Sequence, residues 1–111
     1  MKIDQDIKLD FSDVLIRPKR STLESRSQIN LEREFKFPHS TQVWRGVPII
    51  ASNMDTVGTP EMYNSLKNYN MLTCFHKFMN INDYPENDRN KYMISIGIRD
   101  IDFDKLAEIY S

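Results

Sequence analysis

Only one cysteine, Cys74, stands in the sequence, so no disulfide can form within the chain. No apolar run approaches the roughly 20 residues that a membrane-crossing helix needs. The opening Met1-Lys2-Ile3-Asp4-Gln5-Asp6 is charged and lacks the apolar segment of a secretory leader. These absences point to the cytoplasm and away from a membrane. An excess of charge of one sign is missing too. Fifteen basic residues face sixteen acidic ones, mixed along the chain, which leaves no electrostatic footprint for nucleic acid. The single basic cluster, Arg17, Lys19 and Arg20, reads as a solvated loop. A P-loop, a GxGxxG fingerprint, a CxxC pair and an HExxH helix are all absent. No self-sufficient motif for dinucleotide binding or metal ligation is therefore present.

What remains is ordinary globular material. Of 111 residues, 40% are hydrophobic and 28% charged, enough for one small domain. Three short runs are apolar without alternation: Val47–Ala51, Met71–Phe75 and Tyr92–Ile96. Such runs suit strands buried on both faces of a parallel sheet. The intervals between them leave room for crossover helices. Thr59 and Pro60 predict a helix start, as N-cap and first helical residue, and Asn70 predicts its end. Met62, Leu66 and Tyr69 would form its apolar face. Residues 78–91 hold Pro85 and four asparagines, so a short or irregular helix is expected there. A last helix, capped by Asp100 or Asp102, would present Phe103, Leu106, Ala107 and Tyr110 as one stripe. Alternation of this kind indicates an α/β fold with a parallel sheet.

The first 46 residues read differently. Ile29, Leu31, Phe35 and Phe37 alternate with polar residues and predict a half-buried strand outside the parallel sheet. Phe11, Val14, Leu15 and Ile16 form a small apolar group, and Gly46 marks a turn. The expected organisation is an extension over 1–46 and a parallel unit over 47–111.

In parallel α/β folds, ligands bind at the carboxyl ends of the strands. That rule selects Ser52 to Thr56 after the first strand, His76 and Lys77 after the second, and Gly97 and Arg99 after the third. Each group could equally be a plain helix-entry loop. Cys74 lies inside a strand run and reads as a small buried hydrophobe. His39 reads as a surface loop residue. A lone histidine beside a lysine, as at His76, is no catalytic signature.

Specific stretches go further. Lys8-Leu9-Asp10-Phe11-Ser12-Asp13-Val14-Leu15-Ile16-Arg17-Pro18-Lys19-Arg20-Ser21-Thr22-Leu23, then Ser25-Arg26-Ser27 and Leu31-Glu32-Arg33, resemble the IMP dehydrogenase/GMP reductase family. So do Val47–Thr59, with its Met54-Asp55-Thr56-Val57, and the pair His76-Lys77. The resemblance runs from about residue 3 to 105. Arg17–Ser21 and Gly58-Thr59 resemble the reductase branch, because dehydrogenases usually lack the first and place Thr-Glu at the second.

The resemblance implies a (β/α)8 barrel, of which the chain would hold the N-terminal part, about three of eight strands. It implies NADPH-dependent reductive deamination of GMP to IMP and ammonia by a homo-oligomer, a tetramer when intact. A cysteine attacks the purine carbon that bears the amino group; that cysteine has no counterpart in this chain. By the same resemblance, Ser25 and Arg26 match positions that contact the NADP cofactor, and Lys77 one at the cofactor and the departing amine. Asn53, Met54 and Asp55 match the nucleotide side. A guanidinium suits such a place because it meets phosphate oxygens bidentately. Two departures stand out: the connection after Lys77 is shorter than usual, and it opens with Phe78-Met79-Asn80. The chain alone is expected to be inactive and incompletely folded. A piece of an IMP dehydrogenase, or a small non-catalytic protein that associates with a full-length reductase subunit, are the alternative readings.

Overall fold

The structure, a computed structural model, describes Met1–Ser111. Two small sheets organise it. Strands β1 (Arg33–Lys36) and β2 (Val43–Gly46) form an antiparallel hairpin, with Arg33 opposite Gly46 and Phe35 opposite Trp44. Strands β3 (Ile50–Ala51), β4 (Leu72–Phe75) and β5 (Tyr92–Ile94) form a parallel sheet in that order. Helix α1 (Pro60–Leu66) joins β3 to β4, and α2 (Asp100–Tyr110) follows β5.

Thr59 caps α1 as expected: its side chain accepts the Met62 N–H, and Pro60 occupies the first turn. The helix tightens into a 3-10 turn at Lys67–Tyr69 and stops at Asn70, which adopts the left-handed conformation at φ 54°. Asparagine tolerates that conformation better than most residues. Between β4 and β5 lie only two 3-10 turns, Ile81–Asp83 and Arg89–Lys91, as the asparagine-rich segment predicts.

The strands are shorter than the apolar runs. In β3 the cause is Pro48, which has no N–H to give a ladder. Hydrogen bonds beyond the strand ends, Leu72 N–H to Ile49 O and Ser95 N–H to Phe75 O, extend the sheet without regular pairing. Only β4 is buried along most of its length; Ile50 in β3 remains 49% exposed.

The hairpin corrects the reading of residues 29–46. The expected strand is confined to Arg33–Lys36 and exposed, and Gly46 ends a second strand rather than making a turn. Phe35 stacks on Trp44 at 6.0 Å, a cross-strand pair of the kind that holds small hairpins. Gly46 is required by contact, since a Cβ there would lie 2.4 Å from the Asn70 carbonyl oxygen.

Both predicted helix faces hold in part, with Met62, Leu66 and Leu106 half-buried, and are corrected at other positions. In α1 the buried residue is Tyr63, while Tyr69 is 68% exposed. The 3-10 turn rotates Tyr69 off the sheet-facing side. In α2, Ile109 is buried, whereas Phe103 and Tyr110 stay more than half exposed. The capping residue there is Arg99, whose N–H donates to the Asp102 carboxylate.

The core is small and aromatic. Phe75 is fully buried and meets Tyr63, Tyr84 and Tyr92 at 5.6, 5.7 and 5.1 Å between ring centroids. Met79 and Ile109 complete it. Burial pushes the hydroxyl pKa values of all three tyrosines above the ordinary 10.0; a nearby Asp88 adds to the rise at Tyr63, and Tyr92 adds to it at Tyr63 and Tyr84. The folded form therefore favours neutral phenols. Their contribution to stability is full below the unfolded value of 10.0 and fades as pH rises through the higher folded values. Above pH 10 the core is expected to open together with the growth of tyrosinate absorbance. Tyrosine ionisation at pH 10.0 with unchanged circular dichroism would contradict this.

The first 32 residues form no part of either sheet and contain only the 3-10 turns Phe11–Asp13 and Arg26–Gln28. Phe11, Leu15 and Ile16 are each above 90% exposed. No helix is long and apolar enough to cross a membrane.

Candidate functional site

The carboxyl ends of β3, β4 and β5 bring polar groups from three loops together. After β3, the chain turns at once: the Met54 carbonyl accepts from the Val57 and Gly58 N–H groups, at 3.0 and 2.8 Å. Gly58 then passes so close to β4 that an added Cβ would sit 2.0 Å from the Cys74 carbonyl oxygen and 2.8 Å from that of Ser52. Its own carbonyl accepts the His76 N–H. This approach ties the loop after β3 to the end of β4 and leaves residues 52–56 exposed.

Within that loop, Asn53 donates through Nδ2 to Ser95 Oγ at 2.6 Å, a contact that joins the loop to the end of β5. Met54 is 57% exposed, and the Asp55 carboxylate makes neither a hydrogen bond nor an ion pair. After β4, the His76 ring accepts the Phe78 N–H at Nδ1. Lys77 is exposed, its Nζ 5.1 Å from the Phe78 ring centroid. Lys105 of α2 donates to the Lys77 carbonyl at 3.0 Å and so fixes the backbone there. After β5, Gly97 lies against Asp102, and Arg99 pairs with that carboxylate at 3.0 Å. The Arg99 guanidinium holds the Asp102 carboxyl below the usual range, and the nearby Lys77 ammonium adds to the effect.

The structure thus brings Asn53, Lys77, Ser95 and Asp102 to one end of the sheet. Ser95 was not singled out by sequence, and Asp102 only as a cap. Both depend on where the loop after β5 folds back, and no spacing rule reports that. Ser25 and Arg26 lie apart from this group: the Ser25 hydroxyl caps the turn and bonds Ser27, and neither side chain bonds to residues 47–111. Arg26 enters no ion pair. Cys74 is half-buried in β4, and burial pushes its thiol pKa up while the Ser95 hydroxyl partly opposes the rise. A thiol held neutral is a poor nucleophile. His39 is an exposed loop residue, as expected. No group of three or more His, Cys, Asp or Glu side chains could hold a metal ion.

Fold and site together define an α/β chain whose loops gather polar groups at the carboxyl edge of a parallel sheet. Over nearly its whole length the chain is similar to GMP reductases. It is 51% identical to the GMP reductase of Citrobacter koseri over 116 aligned positions, which cover 98% of the chain and 33% of that protein. It is 49% identical to the GMP reductase of Buchnera aphidicola, over 99% of the chain and 34% of that protein. The GMP reductase of Salmonella arizonae is 52% identical over the same 98% and 33%. The chain spans about a third of the length of these relatives. No family model matches it. The alignments are longer than the 111 residues of the chain, so these relatives carry residues with no counterpart here.

Proposed function

We propose that this chain is the N-terminal, barrel-opening part of a GMP reductase: residues 1–46 an extension, residues 47–111 the first three strands of a (β/α)8 barrel. The reaction is the NADPH-dependent reductive deamination of GMP to IMP and ammonia, carried out in the cytoplasm by a homotetramer. One observation carries the reading: about half of all residues are identical to those of GMP reductases across nearly the whole chain. The open edges of β3 and β5, which a closed barrel would pair, agree with it.

In this reading NADPH supplies the hydride. Arg26 and Lys77 are exposed cations without a carboxylate partner, which leaves them free to meet phosphate oxygens. Lys77 also keeps positive charge beside the departing amine. Asn53, Met54 and Asp55 line the nucleotide side, with Asn53 held in place by Ser95. The nucleophilic cysteine belongs to the other two thirds of the enzyme, because Cys74 sits within a strand with its thiol held neutral.

Reassembly tests this. Mixed with the remaining two thirds of the Citrobacter koseri enzyme, the chain should restore GMP-dependent NADPH oxidation. NAD reduction with IMP would favour a dehydrogenase, and binding without activity would favour a purely associating protein. In the reassembled enzyme, Lys77→Ala should lower turnover about 100-fold or more, the scale of a lost charge aimed at the reacting group, and leave assembly intact. Arg26→Ala should raise the KM for NADPH about tenfold with little change in kcat. Normal turnover by the Lys77 variant, or an Arg26 effect confined to GMP, would overturn these roles.

A further inference from the structure

A groove lies at the opposite end of the parallel sheet, between the β1–β2 hairpin and the starts of β4 and β5. It encloses about 540 Å3, within the range of small-molecule sites. Three cations line it, Arg45, Arg89 and Lys91, and no carboxylate does, although the chain as a whole is slightly acidic. Two carboxylates reach these cations from outside: Glu32 approaches Arg45 at 3.4 Å and Asp88 approaches Lys91 at 3.7 Å. Arg45 and Asp88 are the exposed members of these pairs, while Glu32 and Lys91 are half-buried and Glu32 also accepts from Asn70 Nδ2 at 2.6 Å, so an incoming anion competes with Glu32 for Arg45 and with Asp88 for Lys91. Arg89 has no carboxylate partner and rests 5.5 Å from the Tyr110 ring. Gln42 and Asn90 add amide groups. Trp44, the one tryptophan of the chain, also lines the groove, its ring braced by Phe35.

A half-buried indole beside three cations suits a ligand with an aromatic face and a polyanionic tail. We propose that this groove binds a nucleoside polyphosphate, with the base against Trp44 and the phosphates on Arg45, Arg89 and Lys91. The site lies at the amino ends of the strands, away from the loops of Asn53 and Lys77. It does not rest on the reductase reading, and neither proposal falls with the other.

The probe is ATP, added to the 111-residue chain, with uptake measured by equilibrium dialysis and Trp44 emission followed in parallel. Dialysis reads binding whether or not the protein associates. Uptake of one equivalent with a saturable change in Trp44 emission is expected. Inorganic tripolyphosphate, which lacks the base, should bind more weakly and leave the emission nearly unchanged. Arg89→Ala with Lys91→Ala should weaken ATP binding at least about tenfold, as expected for lost charge-assisted hydrogen bonds. Arg89→Lys with Lys91→Arg should retain most of the binding, and Lys19→Ala in the N-terminal segment should have no effect. Absence of ATP uptake at millimolar concentration would overturn the proposal. So would full affinity in the double alanine variant, or equal affinity for tripolyphosphate.

Discussion

Gly58→Ala should strip the chain of most of the helical and strand signal that the parent retains. The glycine carries no unusual φ; its role is one of contact. A methyl group there would meet two backbone carbonyl oxygens, at 2.0 and 2.8 Å, and neither can rotate aside as a side chain could. Relief requires the loop after β3 to lift off β4, which also breaks the bond from the His76 N–H to the Gly58 carbonyl. Overpacking of this kind costs about 3 kcal/mol, a large share of the total for so small a core. Gly97→Ala is the informative comparison. Its obstruction is the Asp102 carboxylate, which can swing away at the expense of the contact with Arg99. Circular dichroism of the two variants should therefore show a severe loss for Gly58→Ala and a mild one for Gly97→Ala. Equal, parent-like spectra would show that the loop yields freely.

The second large effect concerns the chain without further partners: it should behave as an expanded, self-associating species. Its accessible surface is 10007 Å2, whereas a compact protein of this mass exposes roughly 6,400 Å2. The radius of gyration is 18.4 Å, against about 13 Å for a compact chain of this length. Only 10 of 111 residues are buried, so little apolar area offsets the entropy of ordering. Exposed groups include Leu15 and Ile16 of the N-terminal segment and Phe103 of α2. The edges of β3 and β5 carry unpaired backbone groups. Strong binding of a hydrophobic dye, rapid amide exchange over residues 1–32 and concentration-dependent sedimentation are the expected results. A monodisperse monomer with a sharp cooperative melt would contradict them.

Local signals were legible where one residue type decides the outcome. Thr59 and Pro60 start α1, Asn70 ends it, and the three unbroken apolar runs mark the parallel strands in their order. Facing was harder to read. Tyr63 and Ile109 are the inward residues, yet neither lies on the stripe with the best apolar spacing. A stripe records which side of a helix is apolar, not which side the sheet occupies. Strand β2 was missed because Val43-Trp44-Arg45-Gly46 is too short for a periodic signal and is recognisable only through its pairing with β1. At the candidate site, the strand-end rule and the family resemblance selected Asn53 and Lys77. The link from Asn53 to Ser95 spans 42 positions, and no local pattern encodes a contact of that separation.

The order β3-β4-β5 in the sheet repeats the order of synthesis. Each new strand finds its partner already made, so a nascent chain can lay down this sheet as it leaves the ribosome, without waiting for later segments. Each pairing closes one connection, first over residues 52–71 and then over 76–91. Phe75 is the exception to this stepwise growth. Its ring meets Tyr63 from the preceding helix but also Tyr84 and Tyr92, which emerge later. The sheet can therefore begin before the core does, and β4 passes a stage in translation with its largest side chain uncovered, open to a chaperone that grips apolar strands.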